Sequence, residues 1–243
     1  MNSLKQEVGE TAKPTFSVVI PCYNEQAGLP ELIARCEFVA RQGNGEFILV
    51  NNGSTDESDA LLKQLLHNNK YVRFITVPVN KGYGFGITEG LSAAKAPIIG
   101  WTHADLQTDP ADVLRAMPIF TNSQKDLFVK GRRFGRPMAD RLFTAGMSVF
   151  ETLLLGKRLS DINAQPTLFS SELMKSWGNP PTDFSLDLFA FAKAKKQKFG
   201  IVRFPVIFSE RKYGSSSWNV DFKSKWKFIK RTLAYSFSLR KKI

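Results

Sequence analysis

The chain has 243 residues, with 34 Lys and Arg against 22 Asp and Glu, giving a formal net charge of +12. Hydrophobic residues make up 43% of it; that supports a sizeable core, sets aside intrinsic disorder, and at this length fits one or two domains. No run approaches the roughly 18–20 apolar residues that span a bilayer, and two cysteines, Cys22 and Cys36, do not make a disulfide framework. The positive excess points to an anionic partner: nucleic acid, a membrane surface or a phosphorylated substrate.

Residues 1–14 are polar, with no apolar stretch of the kind that starts an export signal. They are expected to form a loose tail, with a reducing, cytosolic setting as the default. Phe16–Ile20 reads as a buried strand ended by Pro21. Leu29, Leu32, Ile33, Cys36 and Val39 then fall at helical spacing. Glu46–Val50 reads as a second strand, Asp59–His67 as a helix and Val72–Val77 as a third strand. A glycine-spaced loop, Asn80–Gly86, opens a helix over Gly86–Lys95, and Pro97–Thr102 is a fourth strand. Strands alternating with helices at this pitch imply a mostly parallel sheet with helices on both faces. Beyond it, Asp126–Lys130 and Pro166–Ser170 read as strands, and Ala139–Leu155 and Leu186–Lys198 as helices. Ile201–Phe208 is a further strand, which Pro205 assigns to an edge or a bulge.

In such a sheet a ligand sits outside the carboxyl ends of the strands. Three polar clusters fall there: Tyr23-Asn24-Glu25, Asn51-Asn52 and His103-Ala104-Asp105. Asp105 and Gln107 place a carboxylate and an amide oxygen two residues apart, a pattern suited to Mg²⁺ or Mn²⁺ shared with substrate phosphates. Asp109 and Pro110 read as a helix N-cap and first helical residue. The glycine loop can present N–H groups to phosphate, though such loops are more often plain turns. No second His or Cys stands at zinc-ligand spacing from His103, and His67 suits a helix end. Cys22 reads as a buried strand-end thiol. Arg132-Arg133 and Arg211-Lys212 are either solvated surface or, at the active edge, an Arg fork for a diphosphate.

Six segments, VVIPCYNE (18–25), VNNGSTDES (50–58), NKGYG (80–84), HADLQTDP (103–110), GRRF (131–134) and RKYGSSS (211–217), occur in this order. Together they resemble a family 2 glycosyltransferase of the branch typified by dolichyl-phosphate mannose synthase. The resemblance covers about residues 16–217 and implies an α/β GT-A fold, Rossmann-like, binding a nucleotide-diphosphate sugar with Mg²⁺ or Mn²⁺. It implies that Pro21, Tyr23 and Glu25 hold the nucleoside, that Asn52 faces the base and that the backbone at Ala104 contacts the nucleoside. Asp105 and Gln107 would be metal ligands, and Arg133 and Arg211 would bind the donor diphosphate or an acceptor phosphate. Asp187 matches an acidic position at a helix start near the acceptor and is the candidate base. His103, Asn51-Asn52 and Ser217 stand where the family usually has Asp, paired Asp and Lys.

The expected reaction is inverting sugar transfer to a membrane-proximal acceptor, polyprenyl phosphate or a lipid-linked glycan. A phosphate acceptor is already anionic, whereas a sugar hydroxyl needs a base. The alternatives are a soluble glycan acceptor in surface-polysaccharide synthesis, or a non-catalytic nucleotide-sugar binding module. Residues 218–243 form a third segment, with eight basic side chains against one acidic. Phe222, Trp226, Ile229, Leu233 and Phe237 there fall at helical spacing. A basic amphipathic helix of this kind suits an anionic membrane surface, on a peripheral protein, or docks on the domain. No RNP-like, KH or helix-turn-helix pattern supports a nucleic-acid partner.

Overall fold

The computed structural model describes residues 13–135, 138–156, 159–214 and 222–240, with residues 139–143 and 222–229 described by their backbone. The N-terminal tail up to residue 12 and Ser217 lie outside them. Seven strands form one sheet: β1 (Phe16–Cys22), β2 (Glu46–Asn52), β3 (Val72–Val77), β4 (Ile98–Trp101), β5 (Leu127–Phe134), β6 (Thr167–Ser170) and β7 (Gly200–Ile207). Their order is β3-β2-β1-β4-β6-β5-β7. All pairings are parallel except those of β6, which runs antiparallel to both β4 and β5. The helices are α1 (Leu29–Gly43), α2 (Ser58–Leu65), α3 (Tyr83–Ser92), α4 (Asp112–Thr121), α5 (Met138–Leu155), α6 (Leu186–Lys196) and α7 (Phe222–Arg240), with a short 3₁₀ helix at Ser171–Ser176.

Side-chain alternation along the strands divides the core in two. Val18, Ile20 and Leu49 face α1, α2 and α4, packing with Leu29, Leu32, Cys36, Leu62 and Val113. Val19, Ile48, Val50, Trp101, Phe128 and Phe169 face the other way, toward α3 and α6, where Leu155 of α5 and Leu239 of α7 join them. The apolar residues expected on the first helix are all buried on α1. Cys22 and Cys36 are buried too, and burial pushes the Cys22 thiol up.

Several boundaries differ from the expectation for identifiable reasons. β1 and β2 continue two residues further, because Pro21 pairs with Val50 and Cys22 with Asn51 in register. α3 begins at Tyr83, so the glycine-spaced segment lies largely within the helix. A Cβ on Gly84 would stand 2.4 Å from the carbonyl oxygen of Pro181, and one on Gly82 (φ +107°) 2.4 Å from that of Thr182. Those glycines let the backbone of 181–183 approach, and the Phe85 N–H donates to Thr182 at 3.0 Å rather than standing open to phosphate. α2 stops at Leu65, before His67. The cap of α4 is Ala111, not Asp109; Asp109 accepts from the Ala111 N–H at 2.8 Å and from both arms of Arg35 at 2.8 and 2.7 Å. β7 is an edge strand, as Pro205 implied.

α7 docks on α5, and of the expected stripe Phe237 meets Phe150 of α5 edge-on. Ser236 and Leu239 are its buried residues among those with described side chains, and Phe237 is 53% exposed. Glu151 of α5, a buried carboxyl, accepts from the Ser236 hydroxyl at 2.6 Å. Phe222, Trp226 and Ile229 have side chains outside those described.

Candidate functional site

The strand order reverses between β1 and β4, so their loops diverge and leave a crevice at the carboxyl edge. The loop after β1 is laced to the loop after β2. The Asn24 N–H donates to Ser54 Oγ at 3.1 Å, the Thr55 N–H to Asn24 Oδ1 at 2.8 Å, and the Glu25 N–H to Ser58 Oγ at 3.2 Å. That lacing joins two short polar segments some thirty residues apart into one rim.

The loop after β4 carries Asp105 and Gln107. Between them Leu106 holds φ +55°, a left-handed conformation that a bulky residue adopts only under constraint. Its side chain packs against the α1–α4 core, which anchors the turn and leaves both flanking polar groups outside that core. Asp105 Oδ1 accepts from the Gln107 N–H at 3.1 Å. The segment after β7 closes over this turn: the Ser209 N–H donates to Gln107 O at 2.8 Å, and Gln107 Nε2 donates back to Ser209 O at 3.2 Å. Arg211 on that segment reaches Asp105 Oδ2 at 3.1 Å and lies 3.8 Å from Glu25 Oε1. Burial raises the Glu25 carboxyl; Arg211 pulls it down, and Asp105 and Asp56 push it up again.

The structure therefore brings together Glu25, Asp105, Gln107 and Arg211, with Pro21 at the end of β1, Tyr23 exposed at the rim and Ala104 buried beneath the turn. Other expected residues stand elsewhere. Asn51 braces its own turn, donating to Asp59 at 2.8 Å and accepting from the Ser54 N–H at 3.1 Å. Asn52 is 3% exposed, and its Nδ2 donates to Gly82 O at 2.9 Å. It braces the start of α3 through that bond. Its Oδ1 is buried with no hydrogen bond among the described residues.

Arg133 is also engaged within the chain. Its Nε donates to Asp161 Oδ1 at 2.9 Å, its Nη2 reaches the same oxygen, and its own N–H reaches Oδ2 at 3.1 Å. The guanidinium expected to bind the donor diphosphate or an acceptor phosphate is thus paired with Asp161. Burial alone raises that carboxyl, yet Arg133, with Arg203 beside it, brings it below the ordinary range. Two guanidiniums around one carboxylate leave the cluster with a positive excess.

Asp187 opens α6 at 1% exposure. Its Oδ1 accepts from Gln165 Nε2 at 2.9 Å and lies 3.5 Å from the Nζ of Lys130, which also bonds Thr167 Oγ1. Gln165 Nε2 lies 3.3 Å from the Tyr83 hydroxyl, and the Tyr83 ring stacks on Phe184 at 4.5 Å and stands 5.8 Å from His103. Asp187 is therefore buried and already partnered by Gln165 and Lys130, so its side chain does not open onto the crevice as a base waiting for an acceptor hydroxyl would. Burial lowers His103, with Asp105 and Asp187 opposing and Arg133 and Arg211 reinforcing; a neutral imidazole brings no charge to a phosphate. Lys130, Asp161, Gln165 and Tyr83 were not singled out in the sequence. A lysine inside the apolar run of β5 was the one signal available.

The donor set suits a divalent ion only in part. Asp105 offers a carboxylate, and Gln107 keeps Oε1 as an acceptor because its nitrogen is spent on Ser209. No group of three His, Cys, Asp or Glu among the described residues encloses a metal. Mg²⁺ and Mn²⁺ commonly bind through one or two carboxylates plus substrate phosphates, and the residues present fit that open arrangement.

Solved structures share this architecture. A glucosyl-3-phosphoglycerate synthase from Mycobacterium tuberculosis, crystallised with Mn²⁺, UDP and glucosyl-3-phosphoglycerate, superposes with TM-score 0.72 over 95% of this chain and 81% of its own, at 18% identity. The same enzyme has been crystallised with Mg²⁺ and UDP, and superposes with TM-score 0.68. Among curated relatives, an undecaprenyl-phosphate 4-deoxy-4-formamido-L-arabinose transferase from Pseudomonas savastanoi pv. phaseolicola is 35% identical over 107 residues, 42% of this chain and 32% of the relative. Its counterpart from Enterobacter sp. is 38% identical over 105 residues, 41% of this chain and 31% of the relative. The matched stretch thus spans about a third of each relative's length. Residues 17–200 match the sequence model of Glycosyl transferase family 2, and with most of the sheet and the β1–β4 crevice inside that stretch, the chain belongs to that family.

Proposed function

We propose that this chain moves a sugar, with inversion, from a nucleoside-diphosphate donor to a lipid phosphate at a membrane surface, polyprenyl phosphate being the acceptor class. The observation that carries the choice of acceptor is the state of Asp187. A sugar hydroxyl has to lose a proton as it attacks, and the carboxylate expected to take it is buried and paired with Lys130. A phosphate monoester attacks as an anion and needs no base. The relatives named as undecaprenyl-phosphate transferases support the same class.

In this reading Tyr23 and Glu25 flank the nucleoside, and Asp105 and Gln107 face the donor diphosphate with Arg211 beside them. A divalent cation, Mg²⁺ or Mn²⁺, held by Asp105 and Gln107 with the diphosphate would add positive charge against the departing group. The positive excess around Arg133, Asp161 and Arg203 attracts the acceptor phosphate. The α5–α7 pair supplies the membrane contact: Val149 and Leu153 on α5 are 59% and 78% exposed, Phe237 packs edge-on against Phe150, and Lys230 and Arg240 are exposed on α7.

The test is release of nucleoside diphosphate from a panel of UDP-, GDP- and dTDP-sugars with Mn²⁺, in the presence of a short polyprenyl phosphate. Turnover is expected with the lipid phosphate and not with the matching polyprenol, and Asp105→Ala lowers it by about a hundredfold or more. Turnover with a soluble glycan and none with the lipid phosphate overturns the reading.

A further inference from the structure

Arg211 sits on the carboxylate that a divalent ion would need. Its Nη2 donates to Asp105 Oδ2 at 3.1 Å, it stands 3.8 Å from Glu25, and its side chain is 23% exposed. The segment that carries it, 208–214, has no helix or strand of its own. It is held at two points on either side of Arg211. On one side are the paired Ser209–Gln107 bonds. On the other, Lys212 Nζ bonds Glu31 Oε1 at 2.5 Å and the Tyr213 hydroxyl bonds Glu31 Oε2 at 3.1 Å. The Tyr213 ring lies over Gly28, where a Cβ would meet it at 3.3 Å. The segment is therefore a strap across the crevice between the loops of β1 and β4, with a cation aimed at its floor.

We infer that the strap is an electrostatic latch in which Arg211 and the divalent ion compete for Asp105, so that loading the ion with the donor frees Arg211 to engage the diphosphate. The inference rests on the reading that Asp105 holds such an ion. One carboxylate oxygen cannot serve a guanidinium and a metal ion equally, and two cations side by side on Asp105 repel. The donor diphosphate resolves the conflict, because its oxygens suit both the ion and a guanidinium fork. In the latched state Arg211 offsets one of the two negative charges, so the Glu25–Asp105 pair does not stand as two adjacent bare carboxylates. An ion arriving without nucleotide has to open the latch, so its apparent affinity falls by the fraction of chains already open.

The experiment measures Mn²⁺ binding to the full chain by the loss of the free-ion EPR signal, first with Mn²⁺ alone and then with UDP. Arg211→Ala is expected to bind Mn²⁺ alone about tenfold tighter than the wild type, and to bind UDP in saturating Mn²⁺ about tenfold more weakly. The opposite signs are the signature, since loss of fold would weaken both. Lys212→Ala with Tyr213→Phe, which loosens the far end of the strap and keeps Arg211, is expected to tighten Mn²⁺ binding in the same direction by less. Unchanged or weaker Mn²⁺ binding in Arg211→Ala, with Mn²⁺ and UDP binding retained by the wild type, overturns the latch alone. Absence of Mn²⁺ binding in every protein, with or without UDP, overturns the metal reading and the latch with it.

Discussion

At the level of single residues the least ordinary group is Lys130. A fully buried lysine is rare unless it is paired, and this one lies against the rings of Trp101 and Phe128 with Asp187 3.5 Å away. Burial pulls it down to about 8, with Asp187 opposing the shift. Removing one member of a buried pair leaves the other uncompensated, so Lys130→Met is expected to destabilise the chain by about 3–5 kcal/mol. Adding Asp187→Asn, whose amide oxygen still accepts from Gln165, recovers much of that loss; denaturant titration measures both. The pH dependence has a definite sign. Between about 8, the folded value, and 10.5, the ordinary one, the unfolded chain binds the extra proton. Wild-type stability should therefore rise with pH across that window relative to the double variant, and stay parallel to it below the window. A wild type that falls relative to the double variant there contradicts the assignment.

At the level of elements, what was legible in the sequence followed local periodicity. The runs FSVVI and EFILV mark strands because a sheet covered on both faces needs largely continuous apolar segments, and their polar ends mark the crevice; VRFITV, an edge strand, carries Arg73 and Thr76 within it. Asp105, Gln107, Glu25 and Arg211 were found that way and do converge. The network behind them was not legible, because it joins residues far apart: Lys130 and Asp187 are separated by 57 positions, Arg133 and Asp161 by 28. Both meetings depend on β6 entering antiparallel between β4 and β5. Short-range patterning does not reveal that insertion. The demand on the glycines of α3 was not legible for a related reason, since it comes from residues 181–183. Gly84→Ala would press a methyl group against the Pro181 and Asp183 carbonyl oxygens at 2.4 and 2.7 Å. It is expected to cost about 1–3 kcal/mol. Gly146→Ala on α5, with nothing within 4 Å of the added carbon, is expected to gain about 0.5–1 kcal/mol. Thermal melts of the two variants should move in opposite directions.

At the level of the whole molecule, the charge of +12 is unevenly placed. Residues 218–243 carry eight basic groups and one acid, leaving +5 for the rest of the chain. No helix among the described residues is long and apolar enough to cross a membrane. On the proposed reading the acceptor is a lipid phosphate, which presents its reactive end at a bilayer surface, and a chain with that activity would have to meet the surface. Val149, Leu153 and Phe237 give the α5–α7 pair exposed apolar side chains, beside a basic segment for which each residue near anionic lipid adds about 1 kcal/mol. The two contributions separate by salt, because charge attraction is screened over about 10 Å at 0.1 M while apolar insertion is not. The chain is expected to co-sediment with phosphatidylglycerol vesicles more than with phosphatidylcholine vesicles, and to lose most of that difference as salt is raised. Val149→Glu with Leu153→Glu, at exposed α5 sites where folding is little affected, should remove the salt-resistant remainder. If the double variant sediments like the wild type at high salt, this face is not the one that meets the membrane.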